Sequence, residues 1–347
     1  MSKQVNFGII GIGGIGRIHA ELFKHIPKAN LVAIVDIDKR KIEEASFSLK
    51  VKGYSDHILM LKNEDIDAVY IATPPYTHLH LIRDIAKAGK HILCEKPLAH
   101  TLEDAEEIIK IVKSNKVKMM VGFQKRFNII LMEAKKLIDN GIIGKINFIR
   151  MSERISLKTF EKTSNWLYNR GMGGGVIIEA SVHAWDLMRW ITNQEIKEVF
   201  AKGKTIIVNN GKFDELFGAI VSFKDNAIAL VDYTFSLPKN SPLDSKLEII
   251  GESGMIYIDL LNQSIMVNSE VGIDIGGAKI KGLTYPDVLQ HSIYGGAHRR
   301  KVEYFIECIL NNIDPIPNGE DGLKALKIAF AIIESIEKGE KIILDSK

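Results

Sequence analysis

The chain has 347 residues, 46% of them apolar and 26% charged, with basic and acidic side chains interspersed to a formal net charge of +3. That length accommodates two domains, and so even a charge balance excludes a nucleic-acid or anionic-membrane surface built on bulk charge. The N-terminus enters an apolar run at Val5 without a signal-peptide pattern, no apolar run reaches membrane-spanning length, and Cys94 and Cys308 have no partner spacing, so a cytoplasmic protein with neither disulfides nor a metal site is expected.

Val5–Ile10 predicts a strand that runs into Gly11-Ile12-Gly13-Gly14-Ile15-Gly16. Ile15, Ile18, Leu22 and Ile26 then recur at helical spacing, and a second apolar run, Leu31–Val35, ends on Asp36. In this frame Gly11 permits the sharp turn, Gly13 lets the backbone approach a pyrophosphate, and Gly16 lets helix and strand pack closely. The free N–H groups and the dipole of a helix N-terminus favour the same anion. Asp36 lies twenty residues past Gly16, where a carboxylate can accept the hydroxyls of an adenosine ribose. A glycine triplet alone is a weak signal. Strand before, helix after and acid at the right distance make it a strong one. Asp36 would repel the 2′-phosphate of NADP and Ile37 offers it no donor, while Lys39 and Arg40 keep NADP open as the alternative. NAD is the expected cofactor.

Helix and strand go on alternating. Ser55 is expected to cap a helix to about Lys62; Ala68–Ala72 is a buried strand ending in Thr73-Pro74-Pro75; Leu79–Lys87 is helical and stopped by Gly89. His91–Cys94 is a strand ending in Glu95-Lys96-Pro97, Thr101 and Asp104 form a capping box for a helix to about Asn115, and Val117–Val121 closes the set. Repeated βα units imply a parallel sheet with helices on both faces and every strand's C-terminal end on one edge, where ligands bind. Gly11, Asp36, Thr73, Glu95-Lys96 and Gly122 fall on that edge, and His78 is expected to line the cofactor cleft.

Near residue 123 the pattern changes, which divides the chain into a dinucleotide-binding domain, 1–122, and a second domain, 123–347. A helix near Leu131–Asp139 precedes a strand, Lys145–Arg154, a polar loop and a helix, Gly175–Trp190. Strands then follow in succession: Glu198–Val208, Leu216–Phe223, Ala227–Phe235, Lys246–Ile250 and Met255–Leu260, with a hairpin at Asp225-Asn226. Short turns between consecutive strands imply a largely antiparallel sheet. One face would lie on helices and the other needs a cover, so a homo-oligomer is expected. Gln263–Gly296 reads as irregular, and helices over Ala297–Leu310 and Glu320–Glu337 finish the chain.

Lys96 ends a strand on the ligand edge; by itself it is equally well explained as an exposed lysine paired with Glu95. Glu179 and His183, four apart on the predicted Gly175–Trp190 helix, share a face, and Asp186 could orient the imidazole. Such a pair is usually plain surface, but this helix is otherwise apolar, so a narrow polar stripe on it needs partners.

Several stretches resemble the glucose–fructose oxidoreductase/inositol dehydrogenase (Gfo/Idh/MocA) family: Ile71-Ala72-Thr73-Pro74-Pro75 with His78, Ala88–Ala99 around Glu95-Lys96-Pro97, Val121–Phe127, Gly173–His183, and Asn318–Gly322. They span essentially the whole chain in the family's order. The resemblance implies a Rossmann domain, doubly wound and parallel, followed by an α/β domain with a large open sheet that often mediates oligomers. It implies oxidation of a ring hydroxyl of a sugar or cyclitol, or reduction of the ketone, with Lys96 and His183 as the catalytic pair. Family members usually have aspartate at the position of Glu179 and glycine at that of Ser181.

On this basis His183 is the expected base, and Lys96 would stabilise the alkoxide and help dock the nicotinamide. Glu179 would accept from a neighbouring hydroxyl. Arg126 and Trp166 are candidate walls of a polyol pocket, as donor and apolar platform, although Trp166 is nearly as well explained as core. Tyr294 and His298 are candidates to reach the site from the irregular segment. The expected cofactor contacts are Gly11, Ile12, Gly13, Gly14, Ile15, Gly16, Asp36, Ile37, Arg40, Ala72, Thr73, Pro74, His78, Glu95 and Lys96. Two rival functions are glycoside hydrolysis through transient oxidation by retained NAD, and a non-catalytic nicotinamide sensor; a sensor has no use for the Lys96–His183 pair.

Overall fold

The computed structural model describes residues 3–155, 166, 172–173, 175–208, 211–235, 237–238, 240–275, 278–285 and 296–344. The chain divides into two compact units, residues 1–124 with 298–326 and residues 125–297 with 327–347.

The first unit is built on a six-stranded parallel sheet in the order β3-β2-β1-β4-β5-β6. Its strands are β1 (Val5–Ile10), β2 (Ala29–Val35), β3 (Lys52–Tyr54), β4 (Ala68–Ile71), β5 (His91–Cys94) and β6 (Met119–Val121). Central strands buried on both faces read as unbroken apolar runs, as in Ala68-Val69-Tyr70-Ile71, where every residue is buried. The crossover helices are α1 (Gly14–Phe23), α2 (Lys39–Leu49), α3 (His57–Asn63), α4 (His78–Lys87) and α5 (Leu102–Asn115). The sequence pattern gave no sign of α2 and β3. α2 buries only Ala45 and Leu49, and β3 is an edge strand in which Gly53 accommodates Ile42 and Ser46. Too few apolar side chains are fixed there to leave a period. α3 is capped by Asp56, which accepts from the N–H of Ile58 at 2.8 Å, rather than by Ser55. The strand order reverses between β1 and β4, and there the Ala72 N–H donates to the Ile10 carbonyl at 2.8 Å. Nucleotide sites occupy such switch points.

The second unit holds a nine-stranded sheet in the order β14-β13-β12-β11-β7-β10-β9-β8-β15. Its strands are β7 (Ile146–Arg154), β8 (Ile196–Val208), β9 (Gly211–Phe223), β10 (Ile228–Thr234), β11 (Asp244–Gly251), β12 (Gly254–Asp259), β13 (Ser264–Ile275), β14 (Ala278–Tyr285) and β15 (Ile342–Ile343). Among the described residues of this sheet, only β7 and β10 pair in parallel. The hairpin at Asp225-Asn226 is present, with Asn226 at φ +71° and the Asp225 carboxylate accepting from the Ala227 N–H. Most of the segment expected to be irregular, 263–296, is instead the antiparallel pair β13 and β14. Ile265 and Val267 alternate inward as strand residues should, but Gly272, Gly276, Gly277 and Gly282 mask the period, and the ladder shifts register between Asn268 and Ile273.

The helix expected over Gly175–Trp190 is two helices, α7 (Gly175–Glu179) and α8 (Val182–Thr192), broken at Ala180-Ser181. The Ser181 hydroxyl donates to the Ile177 carbonyl and accepts the indole N–H of Trp185 at 2.8 Å. A serine able to bond locally competes with the helical ladder, which is why the break falls there. α6 (Ile129–Asp139) precedes β7. α9 (Ala297–Leu310) belongs to the first unit, and α10 (Gly319–Lys338) begins in the first and ends in the second.

Inward-facing residues of the large sheet, such as Ile149, Met151, Leu247, Ile256 and Val221, are buried. On the opposite face Ile220 is directly across from Leu230, and both are open to solvent, 49% and 39% exposed. Ile228 and Ile250 add to that apolar face.

Candidate active site

The glycine turn is shaped for a ligand. Gly11 sits at φ +93°, and a β-carbon there would lie 2.6 Å from the Ala72 carbonyl oxygen. A β-carbon on Gly16 would overlap the Gly11 carbonyl. Gly13 and Gly14, in contrast, face open space, with no atom within 4 Å of where a side chain would start. Gly13 is also the N-cap of α1, whose first turn carries no acidic residue. Bare N–H groups facing open space at a helix N-terminus fit a pyrophosphate. Asp36 accepts from the Ile12 N–H at 2.7 Å and from the Asp38 N–H at 2.9 Å, so the acid at the tip of β2 is tied to the turn itself. Ile37 and Arg40 are exposed beside it. These residues fit a dinucleotide.

At the tip of β5, Glu95 is buried and its carboxylate takes three donors. The Lys301 ammonium donates at 2.6 Å, the Tyr70 hydroxyl at 2.5 Å, and the backbone N–H of Lys96 at 3.3 Å. Burial opposes the charge on Glu95, but the Lys301 ammonium outweighs it and holds the carboxyl far below the usual carboxylate range. The cation that answers Glu95 is thus Lys301, a residue the sequence pattern did not mark. Its signal was a lysine on the apolar stripe of α9, four residues from Ala297 and from Phe305. Tyr70 spends its one proton on Glu95, so the His19 Nδ1, 2.9 Å from the Tyr70 oxygen and 3.0 Å from the Ile15 carbonyl, carries the hydrogen.

Two histidines do not stand where they were expected. His298 is on α9, not on an irregular segment reaching a pocket. It is buried, with its ring edge against His19 at 4.8 Å between centroids. Burial first, then Lys301, lowers its pKa to about 4. His78 does not line an open cleft. It is fully buried, its Nε2 2.9 Å from the Thr73 carbonyl and its Nδ1 3.1 Å from that of Leu98. It fastens the loops after β4 and β5 to each other. Thr73 is also held from within, its hydroxyl 2.6 Å from that of Thr77.

In the second unit, Glu179 is the last residue of α7 and His183 the second of α8, so they do not share one helical face as the spacing implied. His183 is buried, and its backbone N–H donates to the Ala180 carbonyl at 3.2 Å. Asp186, expected to orient that imidazole, gives both oxygens to Arg126: Nε donates at 2.9 Å and Nη2 at 2.6 Å. Arg126, expected as a donor on a pocket wall, is correspondingly buried and committed to Asp186. The Trp166 ring lies over Gly173, where a β-carbon would come within 2.8 Å of it. Tyr294 lies outside the described residues. Among the described residues, no three His, Cys, Asp or Glu side chains gather as a metal site.

Residues 5–123 match the NAD-binding Rossmann fold of the GFO_IDH_MocA oxidoreductase family, and residues 135–344 match that family's C-terminal alpha/beta domain. The chain belongs to the Gfo/Idh/MocA family. Myo-inositol 2-dehydrogenase of Thermotoga maritima is 29% identical over 345 residues, covering 98% of this chain and 99% of the relative. The scyllo-inositol 2-dehydrogenase (NAD(+)) of Bacillus subtilis is 30% identical over 359 residues, covering 100% and 98%. The crystal structure of a probable dehydrogenase from Thermotoga maritima superposes with a TM-score of 0.80 at 27% identity, covering 98% of each chain. The family, the two folds in chain order, and an NAD-binding oxidoreductase agree with the resemblance read from the motifs.

Proposed function

We propose that this Gfo/Idh/MocA protein is an NAD-dependent dehydrogenase of a secondary alcohol on a small polyhydroxylated ring, a sugar or cyclitol. One observation carries this: open space over Gly13 and Gly14 and the acid Asp36 lie on the same sheet edge from which Lys96 departs. The inositol dehydrogenases among the relatives supply the substrate class.

Backbone groups of residues 13–15 would hold the pyrophosphate and Asp36 the ribose, with Ile37, Arg40 and Ala72-Thr73-Pro74 around the nucleotide and Lys96 toward the nicotinamide; Glu95, expected as a cofactor contact, has its carboxylate filled by Lys301, Tyr70 and the Lys96 N–H and backs Lys96 instead. NAD, when bound, supplies the hydride acceptor. His183 removes the proton of the hydroxyl being oxidised, and such transfer is worth on the order of 10²–10⁴ in rate. Lys96 donates to the same oxygen and stabilises the negative charge that develops on it. Glu179, one methylene longer than the family's usual aspartate, accepts from a neighbouring hydroxyl. Arg126 supports the site by fixing Asp186 on α8, and Trp166 forms an apolar wall.

The test is incubation of the purified protein with NAD and a panel of aldoses, inositols and aryl glycosides. Accumulating NADH without aglycone is the expected result. Aglycone released without net NADH would transfer the protein to the hydrolytic branch, and NAD binding without turnover on any member would make it a sensor.

We also propose that the face bearing Ile220, Ile228, Leu230 and Ile250 meets the same face of a second copy, since an apolar sheet face of that extent is otherwise left in water. Light scattering should give a multimer that Leu230→Asp dissociates; a monomeric wild type would refute it. Among the described residues, no helix is long and apolar enough to cross a membrane.

A further inference from the structure

Several buried ionisable groups of the first unit have no part in the chemistry just described, and one of them is a lysine. Lys301 is fully buried, 0% exposed, on a helix just over two hundred residues beyond the strand it serves. A lysine in such a place is costly unless its charge is answered. Its ammonium meets the Glu95 carboxylate at 2.6 Å and lies 5.4 Å from the centre of the Tyr70 ring.

Glu95 links what Lys301 holds to what Lys96 does. One carboxylate oxygen is occupied by Lys301 and Tyr70; the other accepts the N–H of Lys96, the peptide from which the proposed catalytic side chain starts. The carboxylate also lies flat on Gly122, where a β-carbon would be 2.8 Å from Oε2. The same cluster reaches the nucleotide turn, because Tyr70 touches His19 on α1 and His19 returns to the Ile15 carbonyl. One cation therefore sits where β4, β5, the end of β6, α1 and α9 come together.

We propose that Lys301 is a positioning residue for hydride transfer: its ammonium keeps the Glu95 carboxylate anchored so that Glu95 fixes the backbone of Lys96. This rests on the dehydrogenase reading and on the role given there to Lys96. A displacement of about 1 Å at a reacting group is enough to cost on the order of 10²-fold in rate, and a carboxylate freed from this buried cation would turn toward water.

The groups facing Glu95 are Lys301 and His298 from α9, Tyr70 from β4, His19 from α1, His78 from α4, which burial pushes below the ordinary imidazole range, and its neighbours Cys94 and Lys96. His19 and His298 are both pushed below the ordinary imidazole range, by burial first and then by Lys301, so they are neutral at pH 7 and Lys301 supplies the buried positive charge of the cluster. Burial pushes the Tyr70 phenol and the Cys94 thiol upward, so neither adds an anion. Without Lys301, desolvation would raise Glu95 toward neutrality, and the carboxylate would be tolerated only when protonated.

The experiment compares wild type with Lys301→Met, Lys301→Arg and the double variant Lys301→Met/Glu95→Gln, using NAD and the best substrate of the panel from pH 5 to 9. Lys301→Met should lower kcat by 10- to 100-fold with a smaller change in KM for substrate. Its kcat relative to wild type should fall as pH rises, because Glu95 then ionises without a buried counter-charge. Lys301→Arg should recover part of the loss. The double variant, with that buried pair of charges removed, should recover most of it and should track the wild-type pH profile. If Lys301→Met fails to fold, the double variant and the arginine variant decide the matter by the same two readouts. A loss that is independent of pH and not relieved by adding Glu95→Gln would make Lys301 a packing residue and overturn the proposal. So would a Lys301→Met enzyme that matches wild type throughout. A wild type that makes no NADH with any substrate would sink the dehydrogenase reading and this inference together, whereas an active wild type with an indifferent Lys301 sinks this inference alone.

Discussion

Each unit contains a buried ion pair next to a residue proposed for catalysis, and the two pairs are built differently. In the first unit Glu95 and Lys301 meet through one carboxylate oxygen, and the other oxygen is left for the Lys96 peptide. In the second unit Arg126 and Asp186 close on each other in a two-pronged pair that uses both oxygens. The forked pair is the geometrically specific one, and it fastens α8 to the turn at Gln124–Phe127. The single-pronged pair keeps a hydrogen-bonding site open toward the chemistry. A buried pair can thus be a rivet or a relay, depending on what its last oxygen touches.

The largest effect expected on either side comes from the reacting residue rather than its support. His183→Asn should lower turnover by on the order of 10²–10⁴-fold while leaving NAD affinity and the unfolding midpoint nearly unchanged. Initial rates, NAD titration and thermal unfolding check this. Unfolding that moves together with rate would make His183 part of the rivet and blur the distinction between the two units. Asp186→Asn should behave in the opposite sense. It removes the Asp186 charge from the forked, buried pair with Arg126, and breaking such a pair costs about 3–5 kcal/mol of stability. Denaturant unfolding should show that loss. Arg126→Met together with Asp186→Leu should regain most of it, because a well-packed apolar pair replaces both charges.

Acid should separate the pairs further. His298 titrates near 4 in the folded protein against an ordinary 6.5. Between those values the unfolded chain binds the proton and the folded one does not, so stability falls as pH drops through that window and is level above it. His19 acts in the same direction, as does Glu95, whose depressed carboxyl adds stability that is lost as pH falls below its ordinary 4.5. For His298 the drop is on the order of 3 kcal/mol. His298→Phe should flatten the dependence of the thermal midpoint on pH between 4 and 6.5. An unchanged slope would mean that the imidazole is more accessible to water than its packing against His19 implies.

How much of this could be read in advance follows from how local each feature is. The glycine turn, Asp36 and Glu95-Lys96-Pro97 each lie within a few residues of the strand that positions them, so spacing sufficed. Lys301 did not announce itself, because its partner is about two hundred residues away and its only mark was a charge on an apolar stripe. Arg126 reads in the sequence as a pocket donor and Asp186 as a neighbour of His183, and nothing in their spacing joins them to each other, since a sequence shows which groups need partners and not which ones they find. The break at Ser181 was missed for a smaller reason. Val182–Thr192 continues the apolar period of Gly175–Glu179, and only the hydroxyl of one residue interrupts it. β13 and β14 were lost to glycines that weakened an alternation otherwise present.

Asp36 offers the smallest and most specific test. It is a third carboxylate, only half-buried and held by backbone N–H groups, so lone pairs remain for a ligand. Where Glu95 supports a site from below, Asp36 is expected to touch the cofactor directly. Asp36→Ser keeps one acceptor for the Ile12 N–H but removes the negative charge. KM for NAD should rise about tenfold, roughly 1.4 kcal/mol, and KM for NADP should fall because its 2′-phosphate no longer meets a carboxylate. Thermal stability should move little, since the exposed loop can rehydrate. Initial rates with both cofactors measure the ratio. A wild type that already prefers NADP would show that Lys39 and Arg40 outweigh the acid, and Asp36 would then belong with Glu95 as a residue that shapes the turn rather than one that selects the cofactor.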